Sequence, residues 1–520
     1  MTAWLNLGEI LRVNAIKYRD KIAVKDVKRQ LSFLEYNNRA CRLANGLLGM
    51  GLSKGDRIAV ISCNCLEFME IYAAVAKAGI VVVPINWRLA PKDVEYIVNN
   101  SKAKAIIVAE EFVENVNSIK GNLKNIPPEN YMVIGENLQE GYRNYEEILF
   151  SGSDTEPKVK VENKDIWILL YTSGTTGTPK GVLRSHESYI SFFLINEVEF
   201  GFTSDDYALI LMPLCHVNST FYSFVFTYIG ASVYVHLEKG FDPVKVLEII
   251  DQEKITFSSM IPTHYNLILN VPEEIKSKFN GSSIKQLLCS SAPVRKQTKL
   301  DIMKFFPNAA LFEAYGSTEA GLVTILRPEE QLDKLGSIGR ECVGTDTIKL
   351  LDEEGKEVGV DEVGELYSRG PMMFEKYYEL PEKTKEAFRG EYFSAGDMAK
   401  KDKNGYYHLV DRKANMIITG GEHVYPSEIE EIISQHPKVF DVAVIGVPHE
   451  KWGEAVKAVI IPKDGEMLTE LEIKEFCKDK MAGYKKPKTV DFIKPEEMPR
   501  TTTGKIRHRE LRKKYGGFGI

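Results

Sequence analysis

The stretch "YTSGTTGTPKGV", Tyr171 to Val182, gathers five Ser or Thr hydroxyls, three glycines and one lysine behind the apolar run "IWILL". Glycine lets a backbone approach an anion closely, and successive N–H groups in a loop between a strand and a helix can converge on one phosphate. Thr172, Ser173, Thr175 and Thr176 add hydroxyl donors, Lys180 adds a mobile positive charge, and Pro179 stiffens the turn. The spacing is not G-x-x-x-x-G-K-[ST], because Gly181 follows Lys180, and it is not a dinucleotide G-x-G-x-x-G. Such a composition also suits a solvated surface turn, so the stretch alone leaves both readings open.

Elements able to position the loop surround it. "DRIAVISCN" reads as a buried strand, "LEFMEIYAAVAKAG" as a helix and "IVVVPIN" as a second strand, together a βαβ unit. The alternation continues through "YALILMPL", "ASVYVH" and "ITFSSMIP", while "SIKQLLCSSAPV" and "AALFEAYGSTEAG" read as strands ending in small-residue turns. This pattern predicts an α/β fold with mostly parallel sheets. After about residue 336 the short segments "TIKLLDEEGKEV", "GELYSRG" and "GYYHLVDR" predict an antiparallel sheet or barrel. From about Arg412 a compact α+β module follows, with a helix at "PSEIEEIISQHP" and strands at "VFDVAVIGVP" and "AVKAVIIPK".

Further motifs recur in a fixed order: "PLCHVNS", "YGSTEAG", "GELYSRGP", "YFSAGD", "DRKANMIITGGEHVYPSEIE" and "PRTTTGKIRHREL". With them, "YTSGTTGTPKGV" resembles the phosphate-loop signature of the acyl-adenylate-forming, AMP-binding superfamily, and the chain is most similar to its AMP-forming acyl-CoA synthetases. The resemblance covers nearly the whole chain. It implies an α/β N-terminal domain, 1–411, of two β/α subdomains plus a small β-barrel, and a mobile α+β C-terminal domain, 412–520. It also implies two half-reactions: a carboxylate attacks the α-phosphate of ATP with Mg²⁺ present, and a thiol, usually that of coenzyme A, then takes the acyl group.

By the same resemblance, Thr172, Ser173, Gly174, Thr175, Thr176, Gly177 and Lys180 hold the β- and γ-phosphates. Glu319 is the Mg²⁺ ligand, a carboxylate suited to a hard cation that also binds phosphate oxygens. Thr318 contacts the α-phosphate, Tyr315 stacks on adenine beside Gly316, and Ser291, Ala292 and Pro293 line that pocket. Asp397 accepts from the ribose hydroxyls with Arg412 nearby, and Lys505 bridges the incoming carboxylate and the α-phosphate, where a fixed charge stabilises the transition state. His216 gates or lines the acyl pocket, whose other candidates are Val217, Asn218, Ser290, Ala314, Gly316, Leu322 and Val323. Gly420 and Gly421 line the pantetheine tunnel. Taken singly, Lys505 fits a solvated basic tail, Glu319 a favoured helix start and His216 a core histidine.

Three positions depart from the family pattern. Ala414 stands where the hinge residue is usually Asp or Lys, Ala395 replaces a usual Thr in "YFSAGD", and "SSAP" replaces a glycine-rich turn. Asn218 is unexpected in an alkyl pocket, because a buried amide needs partners. The acid expected is short-to-medium or cyclic/aromatic, with a polar group. The alternative is a stand-alone adenylation protein that loads a carrier-protein thiol. A luciferase-like oxygenase makes the same adenylate, but no residue here argues for oxidation.

At 520 residues the chain is long enough for about three or four structural units. Its 44% hydrophobic and 27% charged residues match a globular protein, and a net charge of −6 argues against nucleic acid as a partner. Seven scattered cysteines read as reduced thiols of a cytoplasmic protein. The charged N-terminus predicts no secretory signal, and no apolar run is long enough to cross a bilayer. A homodimer is left open.

Overall fold

The computed structural model describes residues 5–137, 139–172, 179–237, 239–290, 294, 296–500 and 505–515. The chain divides into two compact units: Met1–Thr347 with Ser368–Phe393, and Ile348–Tyr367 with Ser394–Ile520. The four-stranded antiparallel sheet after residue 347 therefore groups with the C-terminal residues.

The first unit carries two large mixed sheets. One runs, in spatial order, Lys376–Tyr377, Lys180–Ser185, Ile166–Thr172, Val81–Ile85, Arg57–Ile61, Ala105–Ala109, Tyr131–Ile134 and Arg143–Asn144. Its strands from Ile166–Thr172 through Arg143–Asn144 are parallel. Both faces of the central strands are covered, which is why "IAVI" and "VVV" read as apolar runs rather than as alternation. The expected βαβ unit forms, with its helix at Leu66–Ala78 closed by Gly79 in the left-handed region, φ +66°. The helix Phe33–Gly49 starts at a capping box in which Ser32 and Glu35 satisfy each other's backbone N–H groups.

The other sheet runs Arg340–Glu341, Gly321–Leu326, Ala310–Ser317, Gln286–Ser290, Phe257–Met260, Tyr207–Ile210, Ser232–Val235, Ile22–Lys25 and Gln30–Ser32. Its strands from Ala310–Ser317 through Ile22–Lys25 are parallel. Trp167, fully buried, is held by a hydrogen bond from Nε1 to Tyr72 O at 3.1 Å and packs edge-on against Tyr189 and Phe224. In the parallel part of such sheets, ligands gather at the carboxyl ends of strands. Thr172, Ser290 and the segment after Ile210 lie at those ends.

In the second unit, Lys349–Leu351, Gly364–Tyr367, Asp397–Lys401 and Tyr407–Arg412 form the antiparallel sheet. Its two edge strands do not pair with each other. The C-terminal sheet is built on the long hairpin Val439–His449 and Gly453–Pro462, with the helices Pro426–Ser434 and Glu470–Phe476 contributing to its core. Among the described residues, no helix is long and apolar enough to cross a membrane.

Candidate active site

The local setting of the Ser/Thr/Gly loop differs from the one expected. A strand follows it, not a helix. Lys180–Ser185 pairs antiparallel with Ile166–Thr172, and Thr172 lies opposite Lys180. The residues "GVLRS" can continue the sheet because Val182, Leu183, Arg184 and Ser185 are all buried between neighbouring strands. The helix begins only at His186. Thr172 Oγ1 donates to Lys180 O at 3.5 Å, closing the mouth of the loop. Ser173, Gly174, Thr175, Thr176 and Gly177, like Ser291, Ala292 and Pro293, lie outside the described residues.

Thr318 and Glu319 follow the strand that carries Ala314, Tyr315 and Gly316. Ala314 is half-buried and pairs with Ile325, while Leu322 and Val323 on the returning strand are buried. A Cβ on Gly316 would sit 2.1 Å from Gly321 O, so glycine is demanded here by the backbone crossing, beyond the space that it leaves for ligand. Glu319 is 9% exposed. Its carbonyl accepts from Phe374 N at 2.7 Å, and its Oε1 accepts from the Tyr377 hydroxyl at 2.9 Å. The ring of Tyr377 lies 4.3 Å from Lys180 Nζ.

Behind this turn stands Arg184, wholly buried and without a carboxylate in contact among the described residues. Its Nη1 donates to Thr318 O at 2.6 Å and more weakly to Glu319 O at 3.5 Å, and its Nη2 donates to Met372 O. The rings of Phe221 and Tyr189 lie 4.9 and 5.4 Å from its guanidinium carbon. Burial pushes its pKa down to about 10. Sequence reasoning missed both Arg184 and Tyr377. For Arg184 the available signal was a charge directly after the apolar pair Val182 and Leu183.

Asn218 lies in the first turn of the helix Val217–Ile229, for which His216 is the N-cap position. The Asn218 amide donates to Ser259 Oγ at 3.0 Å and to Ser290 Oγ at 3.3 Å. Both serines sit at carboxyl ends of parallel strands, so the expected partners of the amide exist. Burial pushes His216 down to about 4, with Arg88 acting in the same direction, so its imidazole is neutral at pH 7. Its Nε2 lies 3.4 Å from Asn86 Nδ2. Burial raises the neighbouring Cys215 thiol to about 12. All seven cysteines are free thiols.

In the second unit, Asp397 and Arg412 face each other across the antiparallel sheet and form an ion pair, Nε to Oδ1, of 2.6 Å. Arg412 Nη1 also donates to Ala395 O at 3.1 Å. Lys505 keeps solvent contact as a residue, yet crowding of its ammonium by protein atoms lowers its pKa. Arg412 acts in the same direction and Asp397 opposes it, which groups the three side chains. Gly420 and Gly421, φ +61° and +87°, make a two-residue hairpin turn between Ile417–Thr419 and Glu422–Val424. That turn requires positive φ at both positions. Ala414 lies in the short turn Lys413–Asn415.

Among the described residues no group of three or more His, Cys, Asp or Glu could hold a metal ion. A lone carboxylate such as Glu319 fits magnesium, which takes most of its ligands from phosphates and water.

Residues 11–378 match the AMP-binding enzyme family, and residues 428–505 match the AMP-binding enzyme C-terminal domain. The chain is 35% identical to the feruloyl-CoA synthase of Amycolatopsis sp over 498 residues, 95% of this chain and 96% of that one. It is 32% identical to a long-chain-fatty-acid–CoA ligase of Mycobacterium tuberculosis over 519 residues, 98% of each chain. The crystal structure of the anthranilate CoA ligase AuaEII in complex with anthranoyl-AMP superposes with a TM-score of 0.89 at 29% identity, covering 99% of this chain and 98% of that one. The family resemblance of the motifs is thus borne out over both domains. The chain belongs to the AMP-binding enzymes and is an AMP-forming acyl-CoA ligase, which activates a carboxylic acid with ATP and Mg²⁺ and passes the acyl group to coenzyme A.

Proposed function

We propose that the acid is short-to-medium or cyclic/aromatic and carries a polar group. The observation that carries this reading is the Asn218 amide, which donates to Ser259 and Ser290. Each serine accepts from the amide and so keeps its own proton to give elsewhere. A site that offers hydrogen bonds to a polar substrate rejects the analogue lacking that group, because its buried polar atoms would be left unpaired. Aromatic acids are also named for the feruloyl-CoA synthase and the anthranilate ligase.

In this reading Lys180 and the loop around it tend the phosphates that leave, and Thr318 contacts the α-phosphate. Glu319 would hold magnesium, which when bound offsets phosphate charge. Tyr315 and Gly316 take the adenine, and Asp397 with Arg412 takes the ribose. Lys505 steadies the carboxylate oxygen as it attacks the α-phosphorus and pyrophosphate departs. His216, neutral, lines the acyl pocket with Val217, Ala314, Leu322 and Val323 and does not serve as a cation. Gly420 and Gly421 serve the pantetheine arm, a role compatible with their turn. Rotation of residues 412–520 against 1–411 would alternate the two half-reactions, and Ala414 is no obstacle, since a hinge needs permissive torsions rather than a charge. Seven unpaired thiols support a cytoplasmic setting.

Pyrophosphate release across a panel of several dozen acids tests the acid class, with coenzyme A and a carrier protein offered separately as acceptors. Asn218→Ala should lower kcat/KM selectively for acids with a polar substituent. Unchanged relative kcat/KM across the panel would remove Asn218 from the specificity argument. Acyl transfer to a carrier alone would favour the stand-alone adenylation protein.

A further inference from the structure

Tyr377 touches two residues of the site that lie far apart in sequence and have no reason of their own to be coordinated. Its hydroxyl donates to Glu319 Oε1 at 2.9 Å, and its ring face lies 4.3 Å from Lys180 Nζ. The residue is itself 4% exposed. It is held in place from three directions. Its strand pairs with Lys180–Ser185, with Tyr377 opposite Val182. Its backbone N–H donates to Thr384 Oγ1 at 3.1 Å, and its ring packs edge-on against Phe374 at 4.9 Å. Phe374 N in turn donates to Glu319 O, so one short segment grips both the backbone and the carboxylate of Glu319.

We infer that Tyr377 is a positioning residue that presets the metal-binding carboxylate and the phosphate-binding lysine as one unit before ATP arrives. This rests on the reading of Glu319 as the magnesium ligand and of Lys180 as a phosphate ligand. A carboxylate with one oxygen committed to a phenol has one rotamer and leaves its second oxygen to serve the metal. An ammonium over an aromatic face keeps its charge while losing conformational freedom. Both effects lower the ordering cost of binding a triphosphate with its metal. The two contacts separate cleanly in variants: Tyr377→Phe removes the hydroxyl and keeps the ring, whereas Tyr377→Leu removes both.

The test is calorimetric binding of β,γ-methylene ATP, once with Mg²⁺ and once with a chelator, on the full chain. In the wild type, Mg²⁺ tightens binding by some factor. Tyr377→Phe should reduce that factor about tenfold and leave metal-free affinity within about twofold, because only a hydrogen bond to a charged group is lost. Tyr377→Leu should in addition weaken metal-free binding about threefold, through Lys180. An unchanged magnesium factor in Tyr377→Phe overturns the inference. So does an equal loss of affinity with and without metal, which marks a merely structural residue. Glu319→Gln and Lys180→Met separate the inference from the reading beneath it. If Glu319→Gln keeps the magnesium factor, or Lys180→Met keeps metal-free affinity, the reading fails and the inference goes with it. If both lose theirs while Tyr377→Phe behaves as wild type, the inference alone fails.

Discussion

Replacing Arg184 by Met should uncouple stability from activity. The guanidinium supplies donors to three carbonyls: Thr318 O, Glu319 O and Met372 O. Glu319 O keeps Phe374 N, so two carbonyls lose a donor. A buried carbonyl left unsatisfied costs about 1–3 kcal/mol, so the gross loss is about 2–6 kcal/mol. Against this stands the cost of holding a cation in the interior. Burial lowers the Arg184 pKa from 12.5 to about 10, and a shift of that size corresponds to about 3 kcal/mol that Met does not incur. The guanidinium contacts with the rings of Phe221 and Tyr189 are lost, while Met keeps an apolar side chain in that space. The net change should therefore be small, from about 1 kcal/mol more stable to about 3 kcal/mol less stable, measured as the shift of a denaturant midpoint at constant slope. Adenylate formation should suffer more, because Thr318 and Glu319 lose the anchor that fixes their turn. We expect acid-dependent pyrophosphate release to fall about tenfold or more, since small displacements of positioning groups are costly. Wild-type turnover in Arg184→Met would refute the anchoring role. A stability loss above about 5 kcal/mol would refute the compensation, because breaking an interaction of that size marks a fully paired buried charge.

Three further outcomes are expected. Lys299 and Glu313 form a buried pair of 2.5 Å just before Tyr315; Lys299→Met should cost about 3–5 kcal/mol in denaturant unfolding, and Lys299→Met/Glu313→Leu should recover most of it. His186, whose Nδ1 accepts from Leu7 N, is pushed by burial down to about 3. Its folded pKa lies below its unfolded one, so its contribution to stability is present above about pH 6.5 and is lost as pH falls towards 3; at pH 5 the loss is about 2 kcal/mol, and His186→Gln should flatten that part of the pH–stability profile. Lys505, with its lowered pKa, should lose its proton before a solvated lysine does, so pyrophosphate release should decline on the alkaline side below the ordinary lysine range. Lys505→Arg should move that limb upward even if its rate is lower, and an unmoved limb would assign the titration to another group.

The sequence carried the class of fold because parallel strands buried on both faces appear as uninterrupted apolar runs, as in "IAVI" and "VVV". It carried the βαβ unit because Gly79 marks the helix end where a left-handed residue is needed. The strand after the phosphate loop was harder. "GVLRSHE" mixes apolar and polar residues because Arg184 is buried by pairing with carbonyls that come from distant segments, and no local pattern announces such partners. Tyr377 escaped for the same reason: its two contacts are made to residues nearer the N-terminus by 58 positions in one case, and aromatic residues in "FEKYY" look like ordinary packing. Asn218 was legible as an anomaly, an amide in an alkyl pocket, and Ser290 as a pocket position by motif, whereas Ser259 and the hydrogen bonds that join the three became visible only once strand ends were aligned. The glycines at 420 and 421 were assigned by motif, and the hairpin supplies an independent reason for their identity.

A mixed anhydride of a carboxylic and a phosphoric acid acylates any thiolate that it meets, so an enzyme that makes one must keep its own sulfur out of reach. Cys215 directly precedes His216, and Cys289 directly precedes Ser290. Burial raises Cys215 to about 12 and Cys289 well above the usual thiol range. With a pKa of about 12, about one thiol in 100,000 is ionised at pH 7. Proton affinity thus disfavours Cys215 and Cys289 as nucleophiles beside the thiol of coenzyme A.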